Sequence, residues 1–449
     1  MSSLSEAATH PLLERLEEAH RITADEYPGE SGRRQPVHTV YGGAHLFKSD
    51  SAAKLGALAL RSLERYGTEA KTFAEAIGLG EGVIGETVYQ RVIEKLRREP
   101  VEDFRIDFED GYGNRPDAEE DGHARSTAEE VAKGMAGETL PPFIGIRIKP
   151  FTPDLQRRAI RTLDVFLTTL VQETGGRLPE GLVVTLPKVV SPQQVAVLAD
   201  LLGLLEEELG LEPRSLPLEI MVETTQAIID RHGQVALPGL VQAGQGRLIA
   251  AHFGTYDYTA ACNVTAAHQH MTHPACDFAR HVMQVSLAGR GLWLSDGATN
   301  VLPVPVHPAD EEELTREQVE ENRRAVHAAW SLHFGHVRRS LAHAFYQGWD
   351  LHPAQLPTRY AAVFSFFLEG LEAAAERLRN FVDQAARATL AGEVFDDAAT
   401  GQGLLNFFLR AVNSGAIEEH EALSRTRLSR EELRARSFLK ILERGRRDA

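Results

Sequence analysis

Two acidic residues open the chemical question this 449-residue sequence poses. Glu223 closes the run PLEIMVE, and Asp257 follows the run RLIAAHFG within HFGTYDYT. Each stands where an apolar, strand-like stretch gives way to polar residues. Two carboxylates brought together from neighbouring strand ends suit a hard divalent cation. Magnesium takes oxygen ligands, usually one or two carboxylates, and leaves the rest of its shell to water and substrate. Arg147, in FIGIRIK, adds a planar fork that matches a carboxylate or an enolate oxygen. A metal and an arginine converging on one spot stabilise negative charge that develops on a carbonyl oxygen, which is what an enolate requires.

More candidates stand at the ends of the other runs. DFRIDFEDGYGNRP (103–116) carries Glu109 and Asp110 at the tip of an alternating stretch, and Lys188 ends LVVTLPK. Asp296 in GLWLSDG and His352 in QGWDLHP are candidates for the general base. His45 and Lys48, in GGAHLFKSD, follow the first run and are candidate substrate contacts. A Schiff-base role for Lys188 would need a desolvated amine of lowered pKa. The Glu223/Asp257 pair favours the metal route instead. His268, His270 and His273, near Cys276, form a short cluster, but with no second cluster they read as a loop over the site rather than a zinc centre.

What must position these residues is a repeating unit: a short apolar strand with a polar tip, then a helical pattern. Eight runs fit the strand role: 37–43, 103–109, 143–149, 182–188, 217–223, 247–254, 291–297 and 347–353. Helical stretches such as 152–173 and 191–210 lie between them, the second with Ser191 as N-cap and Pro192 at the first helical position. Alternating strands and helices imply a parallel sheet, and eight strands close a barrel. The expected fold is therefore α/β, a (β/α)8 TIM barrel over 36–357, with a helical extension over 1–35 and a helical region over 358–449 that packs on or caps the barrel.

Side chains alternate across a strand. In DFRIDFE the apolar set faces helices, leaving Arg105, Asp107 and Glu109 inward. The same rule leaves Gly145, Arg147 and Lys149 inward on the third run, and Glu219, Met221 and Glu223 on the fifth. On the eighth it takes Trp349 and Leu351 outward and leaves Asp350 and His352 inward; the seventh is ambiguous. Converging charges at the carboxyl ends of barrel strands form an active site in nearly every such enzyme.

With these residues in order, the chain resembles the HpcH/HpaI aldolase and citrate lyase β-subunit family, within the phosphoenolpyruvate-type barrels that also include malate synthase. FRIDFEDGYG, IGIRIK, LPKV, IMVET, FGTYDYT, ACDFARHVMQVSLAGRGLWLSDG and GWDLHPAQL match the family's segments in the family's order, from about 36 to 357. The resemblance implies Glu223 and Asp257 as ligands of Mg2+ or Mn2+, and Arg147 as the substrate-binding arginine. It implies carbon–carbon lyase or aldolase chemistry on a small oxo- or hydroxy-acid, free or as a coenzyme A thioester, and a homo-oligomer. The Glu-to-Asp spacing of 34 residues (257 − 223) is longer than the family's, and the helical tail is larger. Two other readings stand beside this one: phosphoryl transfer or related enolpyruvate chemistry on the same barrel, and a non-catalytic binding barrel.

Composition bounds the rest. A net charge of −16 argues against nucleic acid and anionic membranes as partners. With two cysteines, no signal peptide pattern and no apolar run long enough to cross a bilayer, a cytoplasmic enzyme is expected.

Overall fold

The computed structural model describes residues 3–29, 33–80, 82–308, 314–390, 398–435, 437–438 and 440–441. Eight strands form one closed, all-parallel barrel in chain order: β1 (His38–Gly43), β2 (Asp103–Asp107), β3 (Phe143–Arg147), β4 (Leu182–Leu186), β5 (Leu218–Val222), β6 (Leu248–Phe253), β7 (Trp293–Ala298) and β8 (Gln347–Asp350). Each strand coincides with one of the eight expected runs, β7 reaching one residue past its run to Ala298. β8 closes on β1 through His38↔Gly348, Thr39↔Trp349 and Val40↔Asp350.

The local signals act as physical chemistry requires. The helix Pro192–Leu209 starts after an extended Ser191 with proline in its first turn, and ends at Gly210 in the left-handed region. Phe104, Ile106 and Phe108, with Ile144, Ile146, Ile148, Leu182, Val184, Leu186, Leu218, Ile220 and Val222, are all buried against the surrounding helices. Each such side chain contributes roughly 1.5–3 kcal/mol by leaving water.

The barrel interior is ionic rather than aliphatic. Arg105 forks onto Glu219, Nε to Oε1 at 2.7 Å and Nη2 to Oε2 at 2.8 Å, and also pairs with Asp103. Thr185 donates to Glu219 at 2.5 Å, and His252 Nε2 stands 3.2 Å from the same carboxylate. Thr39 donates to Asp103 at 2.8 Å and receives from Gln347 at 2.9 Å. The glycine at position 145 is what lets Arg105 cross: a Cβ there would lie 3.0 Å from Arg105 Cδ and 2.4 Å from the Val183 carbonyl oxygen. The inward sets expected on β2 and β5 are therefore found, with opposite charges paired as burial demands.

β8 overturns its expected parity. Trp349 faces the interior, its ring centroid 4.4 Å from that of Tyr41, and Asp350 faces the helices. There Asp350 accepts from His38 Nδ1 (2.8 Å), His333 Nε2 (3.0 Å) and Arg359 Nη2 (2.8 Å). Gly348 makes the room, since a Cβ at that position would meet Arg359 Nη1 at 2.7 Å. A carboxylate with three cationic or proton-donating partners on the outer face is cheaper to bury there than in the interior, so the apolar Trp349 takes the inner place.

The helix Glu6–Glu26 buries none of its side chains, and the chain after it docks through Gly29 N–H to the Gly289 carbonyl at 2.8 Å. Beyond β8 the helices Leu356–Leu390, Ala398–Asn413, Glu419–Thr426 and Arg430–Ala435 follow. Arg410 donates to Gln35 Oε1 at 2.7 Å, just before β1, so Ala398–Asn413 lies at the amino-terminal end of the strands. Arg91 pairs with Glu421 at 3.2 Å on the barrel flank. The last segment of the basic tail, 442–449, lies outside the described residues. Among the described residues, no helix is long and apolar enough to cross a membrane.

Candidate active site at the barrel mouth

The carboxyl ends of β2, β3, β4 and β5, with the start of the helix Thr255–Ala261, build the site. Asp107 and Arg147 are register partners on β2 and β3 and share the inner face. Asp107 fixes the guanidinium from two sides, accepting from Nε at 2.7 Å and from Nη2 at 2.6 Å. Its oxygens also accept from Glu109 N–H (2.9 Å) and Gly111 N–H (2.7 Å), which ties the arginine to the acidic turn. Arg147 is about 1% exposed. Tyr41 and Trp349 flank it, with its Cζ 4.6 Å and 5.5 Å from their ring centroids. Lys149, expected inward, instead runs sideways past the strand end. It donates to the Phe108 and Gly113 carbonyls at 2.7 and 3.0 Å, pairs with Glu120 at 3.1 Å, and so pins the 108–113 turn.

Above the arginine is a ring of acids around one ammonium. Lys188 Nζ lies 2.9 Å from Glu109 Oε1, 3.3 Å from Asp110 Oδ2 and 3.1 Å from Asp257 Oδ1. Glu223, about 1% exposed, accepts the Lys188 backbone N–H at 2.7 Å. Lys188 itself has φ of 51°, a left-handed conformation that costs a non-glycine residue energy and that its surroundings must enforce. Gly254 is packed against Glu223: a Cβ there would come within 2.5 Å of Oε2.

The electrostatics follow from burial in this crowd. Glu223 is pushed up to about 7 by desolvation, with the lysine opposing the shift and Asp257 adding to it. Glu109 is pushed up to about 6, again chiefly by burial, with Arg147 opposing. Asp110 also loses water, but the hydrogen bond with Glu109 and the Lys188 charge leave it below the ordinary carboxylate range. Burial alone would lower the pKa of Lys188; Glu223 and Glu109 reverse that and hold the ammonium above its ordinary value.

Two donors in this pocket are unsatisfied. Arg147 Nη1 and Trp349 Nε1 are buried and make no hydrogen bond among the described residues. Nη1 stands 3.3 Å from Glu109 Oε2, an ion-pair distance without hydrogen-bond alignment. A buried donor left unpaired costs about 1–3 kcal/mol, so such atoms mark where a ligand oxygen belongs.

The structure thus gathers Arg147, Glu109, Asp110, Lys188, Glu223 and Asp257 and leaves four other candidates elsewhere. Asp296 faces the helices, its oxygens held by Arg280 Nη1 (2.9 Å) and Ser340 Oγ (2.5 Å). His352 caps the turn after β8, accepting from Ala354 N–H at 3.1 Å. Lys48 is exposed and pairs with Glu130 at 3.7 Å. His45 sits on the rim against Tyr112 and His123, with ring centroids 5.7 and 6.3 Å away. In the histidine loop, His273 accepts from Ala275 N–H at 3.1 Å and His270 is within 3.1 Å of Thr272 Oγ1, so these rings serve local turns. The Glu223-to-Asp257 interval holds two short helices, Thr225–Ile228 and Leu237–Ala243.

Sequence reasoning missed Tyr41 and Trp349. The alternation Thr39–Tyr41–Gly43 carried the signal for Tyr41. Nothing local carried it for Trp349, whose inward place depends on Arg359 from a later helix.

As a donor set the ring is all oxygen, the chemistry of a hard cation. No three His, Cys, Asp or Glu side chains among the described residues are gathered closely enough to share an ion as they stand, and the carboxylates are spaced for the Lys188 ammonium.

The model of DUF6986, a domain of unknown function, matches residues 16–441. No curated protein matches the chain. Among solved structures, a citrate lyase from Burkholderia xenovorans is 18% identical with a TM-score of 0.49, over 77% of this chain and 94% of its own. The lead(II) complex of Haloferax volcanii malate synthase is 16% identical with a TM-score of 0.47, over 92% and 99%. Its magnesium/glyoxylate complex is 15% identical with a TM-score of 0.46, over 92% and 98%.

Proposed function

The chain belongs to the DUF6986 family, and from that starting point we propose that its barrel mouth makes or breaks a carbon–carbon bond beside a carbonyl, through an enolate, with Mg2+ or Mn2+. The substrate class is a small oxo- or hydroxy-acid, free or as a coenzyme A thioester. One observation carries the reading: the buried, unfilled donors Arg147 Nη1 and Trp349 Nε1 lie under a ring of four carboxylates at the carboxyl ends of the strands. Donors below and acids above suit an anionic substrate whose far end meets a cation.

Glu223 and Asp257 would hold the ion, with Glu109 and Asp110 within reach of its water shell. A divalent cation there supplies charge stabilisation to the developing enolate oxygen. The remaining work belongs to the chain. Arg147 Nη1 and Trp349 Nε1 donate to a substrate carboxylate. Asp107 keeps the guanidinium plane fixed, and the Tyr41 and Trp349 rings keep water from its faces. The proton transfers fall to Glu109 and Lys188, whose Oε1 and Nζ are 2.9 Å apart, since Asp296 and His352 are committed elsewhere. A Schiff-base role for Lys188 is disfavoured, because its carboxylate neighbours keep the amine protonated and a nucleophilic amine must be neutral.

The test is calorimetric titration of Mg2+ and Mn2+ into wild type and Glu223→Ala, beside an assay of pyruvate, oxaloacetate and acyl-coenzyme A thioesters for carbon-bond formation or cleavage. The variant is expected to bind metal at least tenfold more weakly. Equal affinity would remove the ion from this ring.

A further inference from the structure

The spacing of the acidic ring has a physical cause in Lys188. Its ammonium lies within 2.9–3.3 Å of Glu109, Asp110 and Asp257, contributed by the turn after β2 and the helix after β6, and its backbone holds Glu223 just past β5. These are ammonium-to-carboxylate distances. A magnesium ion draws its oxygens to about 2.1 Å and tolerates little departure from octahedral geometry. The ammonium 3.1 Å from Asp257 Oδ1 engages a carboxylate oxygen that an ion shared with Glu223 would need.

The acids need a cation. Five carboxylates meet here (Asp107, Glu109, Asp110, Glu223 and Asp257), and among the described residues the cationic side chains paired with them are Arg147 and Lys188. Arg147 forks onto Asp107 and reaches only Glu109 beyond it, at 3.3 Å, so Lys188 is the cation that touches Asp110 and Asp257 and anchors Glu223. The backbone is bent to put it there: φ of 51° at Lys188 turns the residue into the ring while its N–H anchors Glu223. About 29% of the Lys188 side chain is exposed, and Asp110 and Asp257 are half-open, so the ammonium has a path outward that Arg147 lacks.

We propose that Lys188 is the resident cation of this ring, seated among the carboxylates in the metal-free protein and displaced from Asp257 when a divalent ion arrives. The inference rests on the metal-dependent reading above and deepens it. Glu109 and Asp110 are the seat to which the amine withdraws, because both already touch it and neither is Glu223 or Asp257. Metal binding and the Lys188–Asp257 contact then exclude one another. The lysine weakens the metal site, and the metal delivers the ammonium to the Glu109 side of the pocket.

The experiment is titration of Mn2+ into the full-length protein without substrate, with free ion counted by electron paramagnetic resonance, for wild type, Lys188→Met and Lys188→Gln. Both variants remove the charge and keep a long side chain. They are expected to bind Mn2+ at least tenfold more tightly than wild type, because no internal cation competes. Thermal unfolding gives a second readout. Without metal, both variants should melt below wild type, since Asp110, Glu223 and Asp257 lose their cation and Glu109 keeps only Arg147, and saturating Mn2+ should raise their midpoints by more than it raises the wild-type midpoint. Equal or weaker Mn2+ affinity in folded variants overturns the resident-cation role while leaving the metal reading intact. Absence of Mn2+ binding in all three proteins overturns both. If the variants fold only with Mn2+ present, their metal dependence of folding, against a wild type that folds without it, is the expected result in stronger form.

Discussion

Asp107→Asn is the substitution that most directly tests how the site is held together. Asp107 accepts four hydrogen bonds: two from Arg147 at 2.7 and 2.6 Å, and one each from Glu109 N–H at 2.9 Å and Gly111 N–H at 2.7 Å. Each of its oxygens serves one arginine donor and one backbone donor. Asparagine keeps one oxygen and turns an NH2 group toward the donors that faced the other. Two bonds to an ionised acceptor, one from Arg147 and one from a backbone N–H, are lost, each worth about 1.5–3 kcal/mol. Arg147 is about 1% exposed and keeps Glu109, at 3.3 Å, as its remaining acidic contact. Breaking a buried pair this way costs about 3–5 kcal/mol, in line with that sum. Urea unfolding followed by far-ultraviolet circular dichroism should show the loss. The double variant Asp107→Leu/Arg147→Met should lose less than Asp107→Asn alone, because it leaves no uncompensated charge. A cost within about 1 kcal/mol of wild type, the range of exposed ion pairs, would refute the picture of a pinned, desolvated arginine.

Two other outcomes check the outer shell. Asp350→Asn should destabilise by about 3 kcal/mol or more, because it strips charge from a buried site facing His38, His333 and Arg359. His352→Ala should cost about 1 kcal/mol, the worth of a cap; denaturant midpoints of the two, side by side, decide whether β8 has been read the right way round. Glu206 supplies a pH test. Burial raises its pKa, but Arg247, at 2.6 and 2.7 Å, and the backbone N–H groups of Leu216 and Arg214 more than offset this and leave it lowered. A lowered folded-state pKa contributes stability that is present above the ordinary glutamate value, about 4.3, and is lost as pH falls through the folded value. Glu206→Gln should therefore be less stable than wild type at neutral pH and approach it under acid; a gap between the two melting curves that stays constant from pH 7 to pH 3 would contradict that sign.

The eight strands were legible because strand signals are local. DFRIDFE and PLEIMVE alternate with period two, and burying one face of each on helices sends Arg105 and Glu219 to the other. The same rule failed at QGWDLHP. There the polar residue had better partners outside, and those partners, His333 and Arg359, come from helices on either side of the strand in sequence. Parity left the seventh run ambiguous, and there Arg280 and Ser340 claim Asp296 from the helix side. Lys48 and His352 carry the right residue types near strand ends, but their side chains meet Glu130 and a turn amide instead of the ring.

By itself, then, the sequence determined a parallel eight-stranded barrel and the acidic and basic tips that its strands carry to one end, because alternation and capping are properties of neighbours in the chain. Only the tertiary structure decided which tips meet. It set Asp107 against Arg147, slid Trp349 and Tyr41 along the arginine, and turned Lys188 into the space between Glu109, Asp110 and Asp257. The reason is energetic: a buried charge goes where its counter-charges are, and counter-charges tens of residues away become neighbours only when the barrel closes.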